Sequence, residues 1–345
     1  MDDGKLRSPT DEKKHFREFK RVSDMIEDHN ALPSATYKAE YNMFAMMTEA
    51  ERESHLGLNT SEAFDQQTRP PTLVSRRKPG GIPSQVNHEK QLVPPKKQGA
   101  CGACWAFGAS AALEYAIGSR VGEVTSVSEQ MWVDCVYADQ QKSGCSGGWP
   151  SKCFKWTRDN GNMIANERDY PYKVDKADRG ENCKNIYKYR SALHMLKIGD
   201  VIHVGKTDKA MTEAVADMRI GVIQAGVSVP QSFFQYREGI YYERECVRVK
   251  HAVAVVGYGV KGGIPFFRVR NSWGTLWGEN GHINMRRGVG GENVNTCRLT
   301  EFGYYPTVYT YWLGDSQDEK DDGGDVDRKD GEDNKDEDGE ADEFL

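Results

Sequence analysis

Cys104 lies in the run Gln98-Gly99-Ala100-Cys101-Gly102-Ala103-Cys104-Trp105-Ala106-Phe107. A glycine-containing loop there passes into an alanine-rich stretch, and the composition predicts a helix over Trp105 to Gly118 closed by glycine. A cysteine at the start of a helix feels the positive end of the dipole. That lowers the thiol pKa and supplies thiolate, the nucleophilic form. Such a nucleophile needs a base and a group that orients the base. His251 opens the apolar run Ala252-Val253-Ala254-Val255-Val256 and is the candidate base. Asn271, in Arg270-Asn271-Ser272-Trp273-Gly274, offers an amide oxygen that can accept from one imidazole nitrogen and hold the ring toward sulfur. Read singly, each has a plainer meaning: a strand histidine is a structural residue, and a Trp-Gly pair is a turn with a packed indole. Metal binding is the rival for Cys101-x-x-Cys104, whose spacing suits zinc, but no second CxxC or His-x-His partner follows. No metal or cofactor is expected.

These groups need elements to hold them. The chain has 345 residues, enough for one large domain or two. Residues 12 to about 60 read as helical, with Phe16, Phe19, Val22, Met25 and Ile26 recurring at spacings of three and four opposite a charged face. Residues 60 to 82 form a linker broken by Pro70, Pro71, Pro79, Gly80 and Gly81. Its basic run Arg76-Arg77-Lys78 is a candidate processing area. From Gly99 to about Tyr172 the signals are helical, with Ser128 as an N-cap. From Gly221 onward short β-type runs alternate with glycines: Val222-Ile223, Tyr241-Tyr242, Ala252 to Val256 and Phe266 to Val269. Helices first and strands later predict an α+β protein with two segregated lobes.

The formal net charge of -6 hides an uneven distribution. From Asp315 to Leu345 sixteen acids face four bases, a balance of -12, which leaves +6 on the rest. The tail has too few apolar residues to bury a core and is expected to be disordered. A solubilising extension is its plain reading; calcium or polycation binding is the sharper one, without EF-hand spacing to support it. The modest basic excess forms no stripe, so nucleic acid is not an expected partner. No stretch of about 18 apolar residues occurs, so no membrane span is expected. Nor is a signal peptide visible at the polar start Met1-Asp2-Asp3-Gly4. Asn59-Thr60-Ser61 is a glycosylation sequon, meaningful only in a secreted chain.

Cys101-Gly102-Ala103-Cys104-Trp105 fits the C-G-[SA]-C-[WY] pattern, and His251 follows Cys104 at the matching distance of about 150 residues. The chain resembles the papain and cathepsin L-like cysteine proteases over roughly residues 12 to 312. The resemblance implies a two-lobe fold, helical and β-barrel-like, with the cleft between the lobes. It also implies a cysteine endopeptidase acting through a Cys104 thiolate/His251 ion pair and an acyl-enzyme. Gln98, with the backbone N–H of Cys104, would form the oxyanion hole. Trp273 would cover the His251–Asn271 bond. Three disulfides are implied, Cys101–Cys145, Cys135–Cys183 and Cys246–Cys297. Cys104 stays free for catalysis and Cys153 is left over as a buried hydrophobe; such bridges need an oxidising compartment. Gly147 and Gly148 correspond to glycines that pair with an extended substrate. Trp149, Pro150, Gly226, Val249 and Phe302 correspond to the second-subsite pocket, whose apolar lining predicts a hydrophobic residue there. No long histidine-bearing insertion follows Cys135, unlike the exopeptidases of the family.

Upstream, Glu12, Phe19, Ile26 and Asn30 resemble the interrupted helix motif of the family's inhibitory pro-regions. Asn42, Phe44, Ala45, Met47 and Thr48 resemble the short motif that follows it. Val22 stands where asparagine is usual, Met46 where aspartate is usual, and Val86-Asn87-His88 where Val-Asp-Trp is usual. The implied division is 1–80 pro-region and linker, 81–313 peptidase domain and 314–345 acidic tail. Implied partners are peptide and protein substrates, the chain's own pro-region running along the cleft in the non-productive direction, and cystatin-type inhibitors. A monomer, secreted or lysosomal/endosomal, is expected. Two other classes compete with this reading: an inactive homologue acting as a binding or decoy protein, and a non-proteolytic Cys-His enzyme such as a transferase.

Overall fold

In the computed structural model the described residues are 8–65, 81–140, 142–173, 183 and 196–310. The basic run 76–78 and the acidic tail lie outside them. Helix α1, Pro9–Ala31, starts at Ser8, whose hydroxyl accepts from Asp11 N, with proline in its first turn. Val22 and Ile26 are fully buried, while Phe16 stands 67% exposed and leaves the apolar stripe expected from spacing. Val22 and Ile26 enter the core with Phe19 and Met25 partly covered beside them; valine at 22 suits that dry site. The helical expectation for residues 12–60 is interrupted. Strand β1, Tyr37–Ala39, follows α1, then the short helix α2, Glu49–Glu53, with a reciprocal Thr48/Glu51 capping box. β1 is drawn into extended form because it pairs antiparallel with a strand far along the chain, β5, Tyr236–Tyr241. Asn30 clamps the return, donating to Ala39 O at 2.8 Å and accepting from Ala39 N at 3.0 Å.

Strand β2, Val86–Asn87, precedes helix α3, Cys104–Val121. α3 runs past Gly118 and ends at Gly122, which takes the left-handed conformation (φ 77°) that caps helices and suits glycine. Helices α4, Glu129–Cys135, and α5, Pro150–Asp159, pack beside it, with Trp105, Trp132 and Phe154 in their shared core. After α5 come β3, Leu196–His203, and helix α6, Asp208–Ala216. Then follow β4, Ile223–Ser228, a one-turn helix α7, Gln231–Phe234, and β5. The remaining strands are β6, Val249–Lys261, β7, Ile264–Arg270, β8, His282–Arg286, and β9, Tyr304–Thr310. The sheet order is β1-β5-β8-β7-β6-β4-β9-β3, open, with β2 on β6. After the helices α3–α5 the strands thus resume at residue 196, earlier than the run of β signals from Gly221.

Three disulfides join Cys101 to Cys145, Cys135 to Cys183 and Cys246 to Cys297; Cys104 and Cys153 are free and buried. With Cys101 committed to Cys145, the CxxC pair cannot offer two thiolates to a metal. His88, where the family has tryptophan, is buried with its ring 4.7 Å from Tyr115 and its Nε2 at 2.9 Å from Val215 O.

The N-terminal segment belongs to the same compact unit as the rest of residues 1–311. Phe44 is its anchor: fully buried, with ring centres 4.7 Å from Trp273 and 4.9 Å from Phe234. Asn42 donates to Phe234 O at 2.7 Å beside it. Met46, by contrast, is half exposed. Replacing Phe44 by alanine is expected to loosen this docking by about 3 kcal/mol, the usual loss for a buried phenylalanine. The measurement is faster proteolytic trimming of the N-terminal segment at neutral pH while the disulfide-bonded body resists.

Candidate active site

Cys104 is the first residue of α3, fully buried, and packs against Ala252 of β6. The preceding loop is held on both sides. Lys96 is clasped by Glu129 at 2.8 Å, Glu114 at 3.4 Å and Glu167 at 3.6 Å. Gly274 N donates to Lys96 O at 3.0 Å. Two residues on, Gln98 N donates to Ser272 O at 2.8 Å. Gln98 Oε1 accepts from the Ser272 hydroxyl at 2.5 Å, which turns its NH2 group toward Cys101 O at 2.7 Å and His55 O at 3.0 Å. Ser272 is a positioning residue that nothing in the local sequence marked.

His251 lies in β6, fully buried, with Nε2 2.7 Å from Asn271 Oδ1. The same oxygen accepts from Ser272 N at 2.8 Å, so it is the acceptor and His251 Nε2–H the donor. The other ring nitrogen, Nδ1, carries the lone pair and has no hydrogen-bond partner among the described residues. Trp273 covers the imidazole at 4.8 Å between ring centres and stacks on Phe234 at 5.1 Å. It is 2% exposed and lies apart from the second-subsite cluster.

An extended piece of the N-terminal segment fills the cleft. Leu58 N donates to Lys250 O at 2.8 Å, Gly148 N to Gly57 O at 2.8 Å, and Asn59 N to Gly148 O at 3.0 Å. The Leu58–Gly148 pairing is parallel. Gly148 supplies both of its backbone groups. Gly147 does not join this ladder, contrary to the expectation for it. Its N–H turns to Gly144 O, and with φ 96° it serves instead as a site of close approach, where an added Cβ would lie 2.7 Å from Gly57 O. Leu58 is buried in a cluster with Cys104, Trp149, Val249, Ala252 and Tyr304, with Phe302 packed against them. At Gly226 an added Cβ would lie 2.8 Å from Val249 Cγ1 and 2.9 Å from Leu58 Cδ2, so only glycine leaves room there. Pro150 opens α5 and is buried. Ala252 and Tyr304 are pocket residues the sequence did not single out.

Burial sets the charge state of this closed form. Desolvation pushes the Cys104 thiol up to about 11, against backbone groups of Ala252, Gly57 and Trp105 that pull it down. Desolvation also lowers His251 to about 4, opposed by the Asn271 bond and assisted by nearby His55. Burial therefore works against both charged forms, thiolate and imidazolium, in this closed state. The helix dipole is present but does not outweigh the loss of water.

Residues 82–307 match the papain family cysteine protease model. Digestive cysteine proteinase 3 of Homarus americanus is 34% identical over 301 residues, 85% of this chain and 87% of that one. Cathepsin S of Bos taurus is 37% identical over 215 residues, 62% of this chain and 61% of that one. Among solved structures, the proform of the Amb a 11 cysteine protease, a ragweed pollen allergen, superposes with a TM-score of 0.72 at 30% identity, covering 88% of each chain. Digestive procathepsin L 3 of Tenebrio molitor superposes at 0.69 and 26% identity, covering 88% of this chain and 94% of that one. A chain that shares this family model over its body and superposes on proforms along most of its length belongs to the papain family of cysteine proteases, and is a cysteine-type endopeptidase in proenzyme form.

Proposed function

We propose that the protein cleaves peptide bonds through Cys104 and His251 once its N-terminal segment has left the cleft. Water then reaches both groups, the thiol falls and the imidazole rises, and the proton passes from sulfur to Nδ1. The thiolate attacks the peptide carbonyl carbon, forming the S–C bond. Gln98 Nε2 and the Cys104 N–H receive the oxyanion. The C–N bond breaks as His251 protonates the leaving amine, and water hydrolyses the thioester. One observation carries this reading: a buried imidazole whose Nε2 is tied to Asn271 and whose Nδ1 has no partner among the described residues, one position before Ala252, which packs with Cys104. Leu58 in its apolar pocket supports a hydrophobic residue two places before the cut. A fluorogenic dipeptide panel checks this: leucine or phenylalanine at that position is expected to be favoured, and a preference for arginine overturns it.

The segment 1–80 acts as an intramolecular inhibitor released by acid. Its exposed pairs with the body, Lys250–Glu53 at 2.5 Å and Arg237–Glu40 at 2.9 Å, contribute little. Two more enclosed groups matter more. His251 is held at about 4 against an ordinary 6.5, so the closed form is favoured while the ring is neutral. That stability is complete above 6.5 and is lost as pH falls toward about 4. At Glu62 burial works to raise the pKa, but Lys152, Tyr137 and Lys142 outweigh it and hold the carboxyl below its usual 4.5. Its contribution is present above 4.5 and disappears as pH falls through the lowered value. Mass analysis after incubation across pH 7 to 4 is expected to show loss of about 80 N-terminal residues beginning below pH 6.5. Glu62→Gln is expected to move the midpoint up by about half a unit, the equivalent of roughly 0.7 kcal/mol. Three disulfides support a secreted or lysosomal setting, and the open cleft would accept cystatin-type inhibitors in a monomer.

A further inference from the structure

Beyond Leu58, the inhibitory segment turns through the 3-10 helix Thr60–Asp65 and buries a carboxylate in a site built by the body. Glu62 Oε2 accepts from the Tyr137 hydroxyl at 2.6 Å and pairs with Lys152 Nζ at 2.7 Å; Oε1 lies 3.3 Å from Lys142 Nζ. Tyr137 is 1% exposed, and its oxygen also accepts from Trp149 N at 2.9 Å, so its proton has one direction left, toward Glu62. Both ammonium groups also sit against the Tyr137 ring, at 4.5 Å and 5.0 Å from its centre. When the segment leaves, two lysines and a fixed hydroxyl lose the one acid that pairs with them here among the described residues. Tyr137 stays in the core with Trp105, and Lys152 on α5.

The position of this site along the cleft is readable from the segment itself. His55 O lies on Gln98, Gly57 over Cys104, Leu58 in the apolar pocket, Asn59 on Gly148, and Glu62 beyond. A substrate whose second residue before the cut fills the Leu58 pocket sends its more N-terminal residues toward the same end. The residue beside Gly148 is its third, and the Tyr137 hydroxyl sits on the N–H of Trp149, the next residue of the wall. We propose that Lys142, Lys152 and Tyr137 form a carboxylate subsite, which gives the mature enzyme a preference for glutamate or aspartate at the third or fourth position before the cleaved bond. The inference rests on the peptidase reading above and adds a substrate class to it. Charge-assisted hydrogen bonds of this kind are stronger than neutral ones, and the partly enclosed lysines are screened less than surface charges.

The experiment uses enzyme matured from the full chain and two peptide series with leucine at the second position. One series carries glutamate and the other glutamine, at the third or the fourth position. At about pH 6 and low salt the glutamate peptide is expected to exceed its glutamine twin in kcat/KM by about tenfold, or about 1.4 kcal/mol. The ratio is read in each variant. Lys142→Gln/Lys152→Gln is expected to bring it near one, and Lys142→Glu/Lys152→Glu to invert it, with a lysine peptide now favoured. Raising ionic strength narrows the wild-type ratio. Equal cleavage of both peptides by wild type, or a ratio unmoved by the double variants, overturns the acidic subsite. Cleavage of neither overturns the peptidase reading on which it stands.

Discussion

Cys104→Ala is expected to abolish hydrolysis of a leucine-containing dipeptide substrate, with kcat/KM falling by on the order of 10⁴-fold or more. Removing sulfur removes the bond-forming atom, so only binding and the Gln98 donors remain to act on water. The variant is also expected to retain its N-terminal segment at pH 4.5 while the wild type loses it. Removal of some 80 residues from Cys104→Ala at the same rate, free of added protease, would sink self-processing. Labelling by a thiol-reactive epoxide separates a working enzyme from a decoy homologue. Matured wild type is expected to react at one cysteine, Cys104, and the closed proenzyme slowly, because burial holds that thiol near 11. Burial also raises the Cys153 thiol well above its ordinary value, and the residue is 0% exposed.

Gly57→Val is expected to produce a proenzyme that is active at pH 7 without cleavage. A Cβ on residue 57 would lie 1.9 Å from Gly102 O and 2.4 Å from Gly102 C, both backbone atoms. Gly102 cannot give way, because it follows disulfide-bonded Cys101 and its N–H donates to Cys145 O at 2.9 Å. The segment must lift instead. It then loses its bonds to Gly148 and Lys250, and Leu58 returns to water at a cost of about 2 kcal/mol. Together these are expected to raise neutral-pH activity of the intact chain by about a hundredfold, with epoxide labelling of Cys104 rising in parallel. The control is built in: after acid maturation residue 57 is gone, so mature Gly57→Val and mature wild type must have equal kcat/KM. A silent intact variant would mean that the segment does not inhibit by lying over Cys104.

The order of elements came through in the sequence where periodicity and capping agree, as for α1 with Ser8 and α3 with its glycine stop. It failed at Tyr37–Ala39, three residues that become a strand only because β5 lends them an edge. It failed also at Phe16, whose spacing fits the stripe although the side chain stands mostly exposed. Cys104, His251 and Asn271 were candidates because their types and spacings suit nucleophilic chemistry, and Gln98 only because of the motif it resembles. Ser272, Ala252 and Tyr304 were not, since a serine or alanine acquires its part only from the atom facing it. The opposing effect of burial was not legible either, because a charge depends on its solvent and the sequence does not say that Gly57 and Leu58 cover Cys104.

From the chain alone came a candidate nucleophile and a candidate base, while the cysteine pairing and the second-subsite lining were expected only through the family resemblance. The first two are properties of residue types and intervals, carried by local helix and strand physics. Only the tertiary structure decided that residues 55–62 thread the cleft, that Gly147 yields space while Gly148 pairs, and that Glu62 meets Lys142, Lys152 and Tyr137 from 75 or more positions away. Long-range contacts of that kind depend on which surfaces close against each other, and burial then resets the protonation of the groups it encloses.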